Sequence, residues 1–157
     1  MSKCKKLLKE VMFCILIALG WGIIMSAILL PSMYSRIDYS LHHHGIEPYK
    51  EWYVTGLQHF LIFLSGVFVG IVLGDLLKSL IVYFLGIAFN VSIMYICIVL
   101  PSLVGASPEG TYQMFSFTAA YLISRSLMIL PLFESLVGVI FGFFLSELRI
   151  FQDYVKK

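Results

Sequence analysis

The fold turns on residues 57–100, LQHFLIFLSGVFVGIVLGDLLKSLIVYFLGIAFNVSIMYICIVL. Over that length only Asp75 and Lys78 are fully charged, and they stand three residues apart near the middle. A helix that crosses a bilayer needs about 20 consecutive, mostly apolar residues. The stretch therefore reads as two spans, 57–77 and 79–100, joined by a very short turn around Gly74 and Asp75. Long helices joined so tightly make an antiparallel hairpin.

Toward the N-terminus lies a third apolar run, residues 11–30, closed by Pro31. A helix usually stops at or before the residue preceding a proline, so the span is expected to end there. Lys3, Lys5, Lys6 and Lys9 precede it. The run is longer than a secretory h-region and suits an uncleaved signal anchor, with cleavage near Ala27 the lesser alternative. Residues 32–55 follow as the longest polar segment, expected to be an outer loop with turns at Gly45 and Pro48.

Toward the C-terminus, Ser107-Pro108-Glu109-Gly110 marks a turn. Residues 111–147 are too long for one upright span, and Arg125 and Pro131 interrupt them. Three arrangements compete. Residues 111–130 lie in the interface or re-enter while 131–147 span; or one long helix kinks at Pro131; or both halves span. The third needs a reversal at Leu130-Pro131-Leu132-Phe133-Glu134, which lacks the glycine or asparagine of a turn. Four crossings are expected, in an all-α bundle with an extra interfacial or re-entrant segment.

Composition agrees. The chain is 60% hydrophobic and 13% charged, with mean hydropathy +0.94. Soluble domains are about half apolar and a quarter charged. No basic stripe is long enough to track phosphates, so nucleic acid is not an expected partner. Lysine and arginine counts set the orientation. With the N-terminus in the cytoplasm, eight of them (Lys3, Lys5, Lys6, Lys9, Lys78, Arg149, Lys156, Lys157) lie inside. Three (Arg36, Lys50, Arg125) lie outside. Both termini are thus expected to be cytoplasmic, in the cell membrane.

Polar residues inside spans are expensive and mark functional candidates. Asn90 sits mid-span and calls for a cross-helix partner, with Ser65 or Ser92 in reach by sequence. Asp75 and Lys78, spaced i to i+3, can pair on one helix face if the helix continues, although solvated charges at the interface are the favoured reading. Arg125 and Glu134 would pair only across a bend at Pro131, and reaching the outer headgroups is the favoured reading. His59 lies just inside the second span and can bond across helices. His42, His43 and His44 are consecutive, so their side chains diverge, and a solvated loop is favoured over a metal site. Cys14 and Cys97 belong to opposite leaflets, too far apart for a disulfide, while Cys4 beside its lysines is a weak palmitoylation candidate.

Small residues four apart let helix backbones approach closely. Gly66, Gly70 and Gly74 follow that spacing, as do Gly138 and Gly142, and Gly22 with Ser26 approximates it. Contact within one chain and contact between chains stand level as readings of these faces. No nucleophile elbow, P-loop, paired metal ligands or pair of membrane aspartates occurs, so no catalytic residue and no cofactor is expected. The expected function is non-catalytic: a subunit or assembly partner of a membrane complex, or a homo-oligomer joined by glycine faces, with the lipid bilayer as solvent. A small transporter lined by Asn90, Arg125 and Glu134 is the alternative, and an intramembrane metal enzyme the third.

Overall fold

The computed structural model describes residues 3–42, 54–103 and 129–155. They form four helices and, among the described residues, no strand: α1 (Lys3–His42), α2 (Gly56–Leu73), α3 (Leu76–Leu103) and α4 (Ile129–Val155). Each contains a segment long and apolar enough to cross a bilayer: Leu7–Ser32, Gly56–Leu73, Leu76–Leu100 and Leu130–Leu148. Arg125, His43, His44 and most of the expected interfacial segment lie outside the described residues.

Two parallel helix pairs make the bundle. Gly66 and Gly70 of α2 face Gly138 and Gly142 of α4. A Cβ at Gly66 would overlap the Ser135 carbonyl, and one at Gly142 would overlap that of Val67. The two backbones are therefore in direct contact, the approach that small residues permit in an apolar solvent. In the other pair, α1 meets α3. A Cβ at Gly22 would stand 2.8 Å from the Phe89 Cβ, and one at Gly86 would overlap the Trp21 ring. Gly66 and Gly70, Gly138 and Gly142, and Gly22 are thus all used in contacts within one chain.

Gly74 behaves differently from its two companions. At φ 56° it adopts the left-handed conformation that closes α2, and its N–H donates to the Gly70 carbonyl at 3.1 Å. The second span accordingly ends at Leu73 rather than near residue 77, and α3 begins three residues later. Asp75 fills the gap as an N-cap. Its Oδ1 accepts the Lys78 backbone N–H at 3.1 Å, and its carbonyl accepts from Ser79 N at 2.9 Å. Asp75 thus caps α3 rather than sharing a continuous helix face with Lys78. The Lys78 ammonium instead lies 3.5 Å from Glu10 of α1, where both side chains are nearly half exposed.

The largest departure is at Pro31, where α1 was expected to stop and a loop to begin. The helix runs through it to His42. A proline inside a helix withdraws one N–H and crowds the preceding turn. Membrane helices tolerate this when a neighbouring helix supplies the missing hydrogen bonds. The carbonyl that Pro31 deprives of its donor is that of Ala27; Gln58 of α2 braces the turn beside it, its Nε2 donating to the Ile28 carbonyl at 2.8 Å and to Ser32 Oγ at 2.7 Å. Its Oε1 accepts from Thr55 N at 2.9 Å and Thr55 Oγ1 at 3.1 Å. One side chain thus completes the capping box of α2 and braces α1 beside its proline. α3 also continues past its expected end, through Pro101 to Leu103. So close to a terminus, a proline removes little more than one hydrogen bond. Pro131 falls in the first turn of α4, where a missing N–H is harmless.

The interior is small and partly polar. Met25, Leu29, Ile62, Val69, Val82, Met94 and Val139 are fully buried, but so are Ser26, Ser79, Asn90 and Ser135. Phe60, Phe68, Phe84, Phe133 and Phe144 are exposed over more than half their surface. This inverts the order of a soluble domain and suits a hydrocarbon surrounding.

Candidate functional site

Parallel pairing sets the starts of α2 and α4 side by side. His59 lies in the first turn of α2 and Glu134 in the second turn of α4. His59 Nδ1 stands 2.7 Å from Glu134 Oε2, and each side chain is 26% exposed. A contact that short between nitrogen and carboxylate oxygen holds one proton, carried by either partner. The pair links two helices, and chemically it can hold and exchange a proton. A metal would need more ligands, and among the described residues no three of His, Cys, Asp or Glu converge.

By sequence Glu134 reaches the outer headgroups or, across a bend, pairs with Arg125. Its bond in the structure goes to His59, and Arg125 lies outside the described residues. His59 was read from sequence as a residue able to bond across helices, and it makes this cross-helix contact.

Asn90 belongs to the other helix pair. It is 1% exposed, and its Oδ1 stands 2.8 Å from Ser26 Oγ on α1. The expected partners are corrected. Ser92 donates to Ala88 O at 2.8 Å on its own helix, and Ser65 donates to Ile62 O at 2.7 Å. Helical phase explains the difference: Asn90 faces α1, whereas Ser92 is exposed and Ser65 sits on α2. Ser26 Oγ is also 2.8 Å from the Gly22 carbonyl, yet a hydroxyl has one proton. Turning the carboxamide by 180° would let its NH2 donate to Ser26 while Ser26 donates to Gly22. Either way one polar atom of Asn90 is left over. As placed it is Nδ2, which is buried without a partner among the described residues.

Trp21 is the hub that the sequence reading passed over. Its indole N–H donates to Ser65 Oγ at 3.1 Å, and its ring centroid lies 5.5 Å from that of Tyr83. Tyr83 OH in turn donates to the Leu132 carbonyl at 2.9 Å. Trp21 and Tyr83 thereby connect all four helices. The signal was available: Trp21 stands mid-span, whereas membrane tryptophans usually mark the interface. Gln58 was also overlooked, although Thr55-x-x-Gln58 matches the capping-box pattern.

Comparison with protein-family models, with curated proteins and with solved structures finds no match for this chain.

Proposed function

We propose that this chain is a non-catalytic, multi-pass membrane protein that serves as a structural or assembly subunit of a larger membrane complex. One observation carries the reading. Of the three residues that could have lined a transport path, the two that are described are tied up separately, in different helix pairs. Glu134 bonds to His59 between α2 and α4, and Asn90 bonds to Ser26 between α1 and α3. A path would need them to face one polar cavity. Their arrangement favours side chains that fix helices to one another. Gly66, Gly70, Gly138 and Gly142 are spent on the internal contact, so self-association through them would have to displace α4 from α2. A protein partner therefore meets the outer faces of the bundle, beside the bilayer lipids. The lysine and arginine bias puts both termini in the cytoplasm, with the cell membrane the proposed location.

The test is extraction in a mild detergent, crosslinking, and determination of the mass and composition of the particle. A second polypeptide in fixed ratio is the expected result. A solitary chain that supports ion or solute flux in sealed proteoliposomes would overturn the proposal in favour of a small transporter.

A further inference from the structure

The first two turns of α1 carry Lys3, Lys5, Lys6 and Lys9, and no acidic residue stands in the first of them. Lys5 and Lys9 are exposed. We infer that these two lysines bind the phosphate of an anionic phospholipid whose tails lie along the outward face of α1. The inference rests on the membrane insertion proposed above, but on neither the orientation nor a partner subunit.

Helical phase sets the two lysines apart from the bundle. At 3.6 residues per turn, Lys5 and Lys9 lie on the side opposite Ala18, Trp21 and Met25, which are buried. Met12, Leu16 and Ile23 continue the lysine side, and each is exposed over more than half its surface. Gly20 is on that side too. A Cβ there would meet nothing within 4 Å, so no described helix covers the face at that level.

The charges are uncompensated. Glu10, the nearest acid along the chain, directs its carboxylate to Lys78, 3.5 Å away. Neither Lys5 nor Lys9 has an ion-pair partner among the described residues. Depth then says what can supply one. Lys9 falls just inside the apolar segment Leu7–Ser32. A lysine so placed lays its stem along apolar surface and carries its ammonium to the headgroups. Lys5 stands four residues earlier, about 6 Å further out along the helix. Together they bracket the phosphate layer of one leaflet. A protein partner would have to bring carboxylates to this depth, whereas a phospholipid carries its phosphate there already. The face also runs in the order of a phospholipid, with charge at Lys5 and Lys9 and hydrocarbon at Met12 and Leu16. A zwitterionic lipid brings its own cation beside the phosphate, so the two lysines favour a lipid of net negative charge.

The test is native mass spectrometry of the protein released from micelles holding equal amounts of phosphatidylglycerol and phosphatidylcholine with identical tails. Phosphatidylglycerol is expected to bind at least about fivefold better, the share of one lysine near an anionic surface (about 1 kcal/mol). In Lys5→Gln with Lys9→Gln the preference is expected to fall to less than half. Glutamine is a good helix former, and an unchanged circular dichroism spectrum verifies the fold. Lys156→Gln with Lys157→Gln removes the same charge elsewhere and is expected to keep the preference. An equal fall in both double variants means attraction to the whole protein's charge and overturns the inference. So does displacement of the lipid by glycerol phosphate at the same concentration, which would make this a site for free phosphate. Flotation with vesicles of phosphatidylcholine alone checks membrane insertion separately. Equal binding of the two lipids by a chain that floats therefore overturns this inference and leaves the proposed function standing.

Discussion

His59 and Glu134 form a pair whose worth can be measured apart from the worth of either residue. Cross-helix hydrogen bonds in membrane proteins average about 0.6 kcal/mol and reach about 1.7 kcal/mol. At 2.7 Å, with a carboxylate as one partner, this bond belongs toward the upper end. His59→Ala and Glu134→Gln, singly and together, should show a coupling of about 1 kcal/mol in detergent unfolding. Strict additivity would mean that each residue meets its surroundings alone. Asn90 gives the opposite expectation. Its carboxamide is incompletely satisfied, so it contributes less than its burial suggests. Replacing both partners of a buried bond by apolar groups is often close to neutral. Asn90→Leu with Ser26→Ala should therefore melt within about 1 kcal/mol of the parent. Ser26→Ala alone should be the worse variant, because it strands the amide.

Among the helices, the same residue type does unlike things according to what lies opposite. Gly70→Leu would drive a side chain into the Val139 carbonyl and the Phe143 amide. Overpacking costs about 1–3 kcal/mol even in adaptable cores, and a backbone wall is less forgiving. A large fall in melting temperature is expected, whereas Gly20→Ala should gain up to about 1 kcal/mol from helix propensity. Equal responses at the two sites would contradict the packing described for α2 and α4. Gln58→Leu should also destabilise, by about 1–3 kcal/mol, since it uncovers the α1 carbonyl beside Pro31 and unmakes the cap of α2. Much of this was legible beforehand. Apolar runs located four helices, and glycine spacing located the close faces, because both follow from one-dimensional period and composition. Partner choice was not legible. Pro31 reads as a stop in its own neighbourhood, and the residue that braces the helix beside it lies 27 positions later on another helix. Asn90 likewise selected Ser26 over Ser92 through helical phase and helix pairing, which local sequence does not encode. Sequence spacing showed that Gly74 matched the small-residue pattern but could not show that its backbone had left the helix.

For the molecule as a whole, the contacts fix which ends lie together. Glu10 of α1 meets Lys78 at the start of α3, and Gly74 nearby faces Ser146 of α4. The beginning of α1 and the later part of α4 are thus at the same end of the bundle. In a bilayer the two would emerge on one side. Reporter fusions at Lys157 and within residues 41–45 should give opposite signals, with the C-terminal fusion active in the cytoplasm. A C-terminal reporter active only outside would reverse the proposed orientation or require an odd number of crossings.

Helix pairing also has a consequence in time. The closest companion of α1 is α3, and that of α2 is α4, so each tight contact skips a helix along the chain. Translation delivers Gly70 some 70 residues ahead of Gly142. At roughly 5–20 residues per second, the glycine face of α2 waits on the order of ten seconds for its match. During that interval α1 and α3 can already join. A ribosome halted after α3 has emerged from it, but while α4 is still inside, would therefore hold out a nascent chain with one pair closed and bare α2 backbone offered to any passing helix.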